Sequence, residues 1–331
     1  MHPKRRIAAF LAGPLCLLLQ APGARAESTL GAFSLSLPPA LAAEAPPVGK
    51  AGAAKPKGKP ALIRTVDLSS QFEDGPRRQK DVASCHAFTT VALLEAAYYR
   101  KYGERKRFSE ADLFLQRTVL DPDIYLEFVL EGAPVLSETQ MTAADIRYAL
   151  RNGIASSLKY KDFLKRYRRY RSAEQRTLEG LSKLAEEPGD DEGDDAEPYD
   201  AAAHWSDIQM EPQAKRILEA YLTGNRGDEL ARERRANRRK FKGFRLQQTE
   251  FDPDTDLFAE EGRPQAAAIK AELDAARPVG TSMSSHVFVV IGYREYSDSR
   301  IVFQTRDSDG SKDLCPKDFG KISRIYSVRE K

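Results

Sequence analysis

The chain has 331 residues, of which 41% are hydrophobic and 31% charged, and its formal net charge is +3. This apolar share is large enough for a globular core and excludes a chain that is disordered throughout. The three cysteines exclude a small disulfide-dense scaffold, and they lie too far apart in the sequence for a zinc finger or zinc ribbon.

The first 26 residues predict a secretory signal peptide. Basic residues at 4–6 precede an apolar run over 7–19, and the small-residue triplet Ala-Arg-Ala occupies 24–26. The apolar run is too short for a membrane span and contains Pro14. We therefore expect cleavage after Ala26, a secreted or periplasmic protein, and no membrane span in the mature chain.

Removal of this leader changes the charge of the protein. Residues 1–26 carry four basic and no acidic side chains, so the remainder has 48 Lys and Arg against 49 Asp and Glu. The net charge of the mature chain is then −1, and the sequence gives no basic footprint for a nucleic-acid partner. We expect a monomer that binds no nucleic acid, no metal and no cofactor.

The mature chain begins with a segment of low complexity. Residues 27–61 are rich in Ala, Pro, Gly and Lys without sustained periodicity, which predicts a flexible tether. Ordinary globular sequence follows over 62–331, and we interpret it as one domain. Length alone also permits two domains.

Helices are predicted in the first part of this domain. Apolar residues at helical spacing follow Cys85, and Gly103 is a natural stop for that helix. Ser109 begins a second helix with the pattern Ser-x-x-Asp, and a third covers 143–152 before Gly153.

The composition changes over residues 161–248. The segment KYKDFLKRYRRYR predicts a basic, tyrosine-rich helix. An acidic run (EEPGDDEGDDAEPYD) and a second basic block (ELARERRANRRKFK) follow it. Blocks of like charge are usually solvated or disordered, so we predict a charged, partly disordered insertion. A surface for an anionic polymer or another partner is the alternative.

The last part of the chain predicts a sheet. A short amphipathic helix over 265–276 precedes the apolar runs PVGTSM, HVFVVIGYREY and RIVFQTRDSDG, and the turn-like SDS separates the last two. KISRIYSV predicts a final strand. Because helices come first and strands afterwards, the sequence predicts an α+β fold with a helical half and a sheet half.

Four residues carry candidate chemistry. Cys85 enters a helix, where free backbone N–H groups favour a thiolate, although a lone cysteine is often a small buried apolar residue. Gln79 precedes it by six residues and has an amide that can donate to an oxyanion. His286 begins an apolar strand, where a structural role is also possible. Asp307 ends the next strand of the hairpin and can meet His286 there.

In this order the motifs resemble those of the papain-like (C1) cysteine peptidases. QKDVASCHAFTTVALLE is similar to the family's Gln-x5-Cys segment, and FSEADLFLQ and AADIRYALRNGI are similar to two segments that follow it. RPVGTSM, SHVFVVIGY and RDSDG are similar to the family's later strands and to its Asn-Ser-Trp-Gly segment. The resemblance covers about 62–160 and 265–331.

The resemblance implies a two-lobed α+β fold with a helical N-terminal lobe, an antiparallel sheet lobe and the site in the cleft between them. It implies a cysteine-type peptidase in which Cys85 is the nucleophile and His286 is the general base and acid. Gln79 then contributes to the oxyanion hole, and Asp307 takes the place of the family's orienting Asn. The substrate is a peptide or protein.

Two positions depart from the family. His86 follows the nucleophile where the family has Trp, and Asp309 replaces the Trp of Asn-Ser-Trp-Gly. We expect a wetter site, and a packing or solvent role for His86 rather than a second base. Two rival functions follow: a catalytically silent papain-like binding protein, and another Cys-His hydrolase such as a peptidoglycan amidase. Cys315 is interpreted as structural or free.

Overall fold

The computed structural model describes most of the chain after the predicted tether. The described residues are 59–75, 77–80, 82–121, 124–125, 138–186, 200–251, 263–283, 286–310 and 312–331. The predicted signal peptide, the tether up to residue 58 and most of the acidic run lie outside them. No helix within these residues is both long and apolar enough to cross a membrane.

Helices dominate the first two thirds of the described residues and strands dominate the last third. The helices are α1 (Cys85–Tyr102), α2 (Glu110–Phe114), α3 (Glu138–Asn152), α4 (Tyr160–Glu186), α5 (Ala201–Met210), α6 (Pro212–Thr223), α7 (Gly227–Phe241) and α8 (Arg263–Asp274). The strands are β1 (Leu62–Asp67), β2 (Phe244–Glu250), β3 (Val279–Met283), β4 (His286–Tyr296), β5 (Ile301–Arg306), β6 (Asp313–Leu314) and β7 (Ile322–Glu330). The predicted α+β class is confirmed.

The predicted signals at the ends of the first helices are present. Gly103 ends α1 with φ +73°, and its N–H donates to the Tyr99 carbonyl. The Ser109 hydroxyl accepts from the Asp112 N–H at 3.0 Å, which caps α2 before the chain passes into a π-helical turn over Leu115–Val119. Gly153 follows α3 with φ +82°, and a Cβ there would lie 2.0 Å from the Arg234 carbonyl oxygen.

The charged segment 161–248 differs from its prediction. Its described residues form helices α4 to α7 and edge strand β2, of which only the basic, tyrosine-rich helix was predicted. Leu218, Leu222, Leu230 and Phe241 are buried in the same core as α1. Helices α6 and α7 therefore each have an apolar stripe on one face, although charged residues dominate the sequence of α7.

The strands form one antiparallel sheet. Its order is β2-β7-β3-β4-β5-β6, and β1 pairs with the second half of β4. Strands β4 and β5 form the predicted hairpin around residues 297–300, with Val289 opposite Arg306. This register brings the beginning of β4 to the end of β5.

Both faces of the sheet are covered, and this fixes α1 against β4. On one face Val289, Tyr326 and Val328 join the core that contains the buried side of α1. On the other face Phe288 and Val290 pack with residues of α8. Successive residues of β4 thus point to opposite cores, as the two-residue period of a strand requires.

Candidate active site

Cys85 is the first residue of α1 and is almost completely buried. Its relative exposure is 1%, and the first turn of the helix carries no acidic side chain. The N-terminus of an 18-residue helix places partial positive charge beside the thiol. This placement favours the thiolate, which is the nucleophilic form.

Gln79 lies in a loop that is hydrogen-bonded to the turn after β5. Its backbone N–H donates to the Ser308 carbonyl at 3.2 Å, and its Oε1 accepts from the Ser308 hydroxyl at 2.8 Å. The Tyr160 hydroxyl donates to the Gln79 carbonyl at 2.8 Å and lies 3.0 Å from the Ser84 hydroxyl. Since Ser308 occupies the amide oxygen, the orientation of the Gln79 amide is set.

His286 and Asp307 meet at the open end of the β4–β5 hairpin. His286 is the first residue of β4, Asp307 directly follows β5, and His286 Nε2 donates to Asp307 Oδ1 at 2.8 Å. The predicted contact is therefore present. The same carboxylate oxygen accepts the Asp309 N–H at 3.1 Å, which holds the carboxylate in place.

A small cavity links the first turns of α1 to this end of the sheet. It has a volume of about 20 Å³, room for about one water molecule. Phe88 and Thr89 of α1, Val289 of β4, and Asp307 and Ser308 of the turn are among its lining residues. The turn that holds His286 and Gln79 thus packs against the first turns of the helix that Cys85 begins.

A buried ionic cluster lies on the other side of that cavity. The Arg77 guanidinium pairs with the carboxylates of Glu95 and Glu110, and Glu95 Oε1 also accepts the Phe108 N–H at 2.9 Å. Burial raises the pKa of Glu110 to about 7, against the opposing effect of Arg77. Arg306, whose Nη1 donates to the Asp74 carbonyl at 2.6 Å, completes the cluster.

This cluster was missed from the sequence, and it anchors two site segments. Arg77 lies two residues before Gln79, and Arg306 directly precedes Asp307. The only sequence signal was Glu95, which belongs to the motif that resembles the peptidase family. Its partners come from other elements, and no local spacing indicates them.

His86 points away from solvent into the helical core. Its side chain is completely buried, and Nδ1 donates to Asp145 Oδ2 at 2.6 Å. The other carboxylate oxygen of Asp145 lies 3.4 Å from Arg117 Nε, and Arg117 also pairs with Asp121. Of the packing and solvent roles expected for His86, the structure therefore shows the packing role. Asp145 was missed, although it lies on the buried face of α3 between Ala143 and Ile146.

Three further residues are placed by the structure. Cys315 is half-buried and free. Asp309 is exposed. Trp205 is buried and donates its indole N–H to Glu174 at 3.0 Å.

Among the described residues, no group of three or more His, Cys, Asp or Glu side chains is arranged to hold a metal ion.

Comparison with known proteins finds similarity among solved structures alone. No family model matches the chain, and no curated protein matches it. The Amb a 11 cysteine protease of ragweed pollen, in its proform, is 12% identical over 83% of this chain and 69% of its own, with a TM-score of 0.39. The bromelain protease from Ananas comosus, solved with the E64 inhibitor, is 10% identical over 81% of this chain and 100% of its own, with a TM-score of 0.40. Digestive procathepsin L 3 from the midgut of Tenebrio molitor larvae is 12% identical over 82% of this chain and 71% of its own, with a TM-score of 0.37.

Proposed function

We propose that the protein is a cysteine-type peptidase that hydrolyses peptide bonds through Cys85 and His286. The observation that carries this proposal is the 2.8 Å hydrogen bond from His286 to Asp307, in the same turn whose Ser308 fixes Gln79. A Cys at a helix start, an oriented His and a fixed amide donor are the parts that acyl transfer by a thiol requires.

In this mechanism two positive charges prepare the nucleophile. The imidazolium form of His286 stabilises the Cys85 thiolate, and the N-terminus of α1 adds its partial charge. Asp307 keeps the imidazole ring in one orientation and stabilises its protonated form. The resting enzyme is thus a thiolate–imidazolium pair.

Acylation forms a bond from sulfur to the carbonyl carbon of the substrate. The carbonyl oxygen becomes an oxyanion, which accepts hydrogen bonds from the Gln79 side-chain amide and the Cys85 backbone N–H. Because Ser308 donates to Gln79 Oε1, the amide NH₂ is directed to the opposite side. Collapse of the intermediate breaks the C–N bond, and His286 gives its proton to the leaving amine.

Deacylation uses the same residues, but His286 now accepts a proton instead of donating one. The neutral imidazole of His286 takes a proton from water, and the hydroxide attacks the thioester carbonyl. The oxyanion donors again stabilise the tetrahedral intermediate. The C–S bond then breaks, the carboxylic acid product leaves, and the thiolate–imidazolium pair is restored.

The cellular location of the proposed enzyme follows from the predicted signal peptide. Cleavage after Ala26 gives a secreted or periplasmic enzyme that acts on peptides or proteins as a monomer. The resemblance of six motifs in family order supports the assignment to the papain-like peptidases.

Labelling of the thiol tests the proposal. The epoxide inhibitor E-64 should modify Cys85 at neutral pH, as detected by mass spectrometry of the digested protein. C85A should lose both the label and peptide hydrolysis, whereas C315A is the matched thiol control and should retain both. His286→Ala should slow labelling, because the thiolate loses its imidazolium partner.

The two rival functions give different results in the same experiment. If Cys85 resists E-64 at neutral pH and no peptide is cleaved, the chain is better described as a silent binding protein. Cleavage of peptidoglycan fragments without cleavage of unfolded protein would instead indicate an amidase.

A further inference from the structure

The second half of α7 and the start of β2 carry a strongly basic surface. Residues 234–249 contain seven basic and no acidic side chains. Asn237 and Phe241 face the core, so the opposite side of α7 faces solvent. The exposed cations, which we call the α7 cationic surface, are Arg235, Arg238, Arg239, Lys240, Lys242 and Arg245.

Neighbouring carboxylates do not neutralise this surface. Arg234 is turned inward and pairs with Asp112 and Glu219. Glu233 lies on the same helix, but its Oε2 accepts the Ser156 N–H at 2.7 Å. In the described part of the chain, no carboxylate forms a salt bridge with a cation of the α7 cationic surface. The positive charge is therefore available to a bound molecule.

The end of α1 extends the surface with an aromatic ring. The Tyr102 hydroxyl donates to the Lys240 carbonyl at 2.9 Å and joins the last residue of α1 to α7. The ammonium groups of Lys240 and Lys101 lie 5.1 and 5.7 Å from the centroid of the Tyr102 ring. Because the exposed fraction of Tyr102 is 37%, the ring offers an apolar face beside the charges.

The spacing of the cations indicates the class of anion. Arg235, Arg239 and Lys242 share one side of α7 and follow one another at about 4.5 to 6 Å along the helix axis. Duplex DNA carries one negative charge per about 1.7 Å of its axis, which is a much denser array. A polysaccharide with one carboxylate on each sugar ring has the sparser spacing that this surface matches.

Two other anionic partners fit less well. Single-stranded nucleic acids bind along rows of aromatic side chains on which successive bases stack, whereas the ring on this surface is Tyr102. A helix that lies in an anionic bilayer inserts its apolar face. The apolar face of α7 is instead buried in the protein core, with Leu230 and Phe241 at 0% exposure.

We propose that the α7 cationic surface binds an acidic polysaccharide that carries one carboxylate on each sugar. The planar guanidinium groups of Arg235 and Arg239 suit carboxylates, which they can hold through two parallel hydrogen bonds. The surface lies at the opposite end of α1 from Cys85, and this 18-residue helix is about 27 Å long. Binding there is independent of the proposed function and leaves the candidate active site open.

The test measures binding of the full chain to polygalacturonate, which has one carboxylate on each sugar. Its methyl ester is the matched ligand, because it keeps the backbone and loses the charge. We expect polygalacturonate to bind with a Kd that rises with salt, since salt screens exposed charges, and the ester not to bind. Absence of binding to polygalacturonate, or equal binding of the two polymers, overturns the proposal.

The triple variant R235Q/R239Q/K242Q separates this surface from the rest of the protein. It should raise the Kd for polygalacturonate about ten- to a hundredfold, because each exposed charge contact changes affinity about two- to fivefold. Its substitutions are exposed, so urea unfolding should match that of the unmodified protein. An unchanged Kd in this variant overturns the proposal.

A second triple variant controls for net charge. K161Q/K165Q/R169Q removes three exposed cations from α4, the same change in charge as in the first variant, and should leave the Kd unchanged. Equal losses of affinity in the two triple variants would assign binding to the overall charge and overturn the role of α7.

Two further ligands test the class of partner. Duplex DNA and phosphatidylglycerol vesicles are compared with polygalacturonate in the same buffer, and both should bind more weakly. Tighter binding of either one, lost in R235Q/R239Q/K242Q, would identify a nucleic acid or a membrane as the partner and overturn the assignment to a polysaccharide.

Discussion

His286 Nε2 donates to Asp307 Oδ1 at 2.8 Å, and this contact joins the first residue of β4 to the residue after β5. Both side chains are partly shielded, with exposed fractions of 29% for His286 and 14% for Asp307, so the hydrogen bond is only weakly screened by water. A carboxylate here differs from a neutral amide because it adds a full negative charge beside the ring.

We predict that D307N narrows the pH range of activity. Without the carboxylate the imidazolium is less stable, so the alkaline limb of kcat/KM should move to lower pH. D307A should lose more activity, because the ring also loses its orienting partner. The measurement is the pH profile of kcat/KM between pH 5 and 9, and identical alkaline limbs in wild type and D307N would contradict the role of the charge.

Gln79 and Ser308 give a second prediction. Q79A removes an oxyanion donor and should lower kcat by about 100- to 1000-fold with little change in KM. S308A keeps the Gln79 amide donor but removes the hydrogen bond that orients it. The loss of kcat in S308A should therefore be smaller than in Q79A. Unfolding in urea should show both variants to be folded, and equal losses in the two variants would argue against this division of roles.

The hairpin contact was accessible from the sequence because it depends on local signals. A short turn between two strands fixes their register, so the beginning of β4 and the end of β5 must meet. The same is true of the first helices, where Ser109 and Gly103 act within one turn of their own position.

Contacts between distant segments were not accessible in this way. His86 and Asp145 are 59 residues apart, and Arg234 and Asp112 are 122 apart. A side chain's charge indicates that it needs a partner but not which one. Helices α5 to α7 of segment 161–248 were missed because buried residues such as Leu230 and Phe241 are outnumbered by the charged residues around them.

The buried pair of His86 and Asp145 predicts a large effect on stability. D145N leaves His86 and Arg117 without the carboxylate that both approach, so it should lower the free energy of unfolding by about 3 to 5 kcal/mol. The exposed pair of Asp298 and Arg300 is the control, and D298N should cost less than about 1 kcal/mol. Urea unfolding measures both, and similar small costs would mean that the buried pair is not coupled to folding.

Glu174 offers a spectroscopic test, because its partner Trp205 is the single tryptophan of the chain. The Glu174 carboxyl is buried between α4 and α5, and burial raises its pKa to about 8 against the opposing hydrogen bond from Trp205. Trp205 fluorescence should therefore titrate with a midpoint near pH 8, as the group accepting the indole N–H becomes charged.

The same shift has a defined consequence for stability. A carboxyl whose pKa is higher in the folded than in the unfolded state binds more protons when folded, so its contribution to stability is complete at pH values below about 4.5 and decreases as pH rises to about 8. E174Q should abolish the fluorescence titration and reduce this decline in the midpoint of thermal unfolding. H204N and E179Q alter exposed titratable residues, His204 next to Trp205 and Glu179 on α4, and should leave the titration in place. A titration that persists in E174Q and disappears in H204N would assign it to His204 instead.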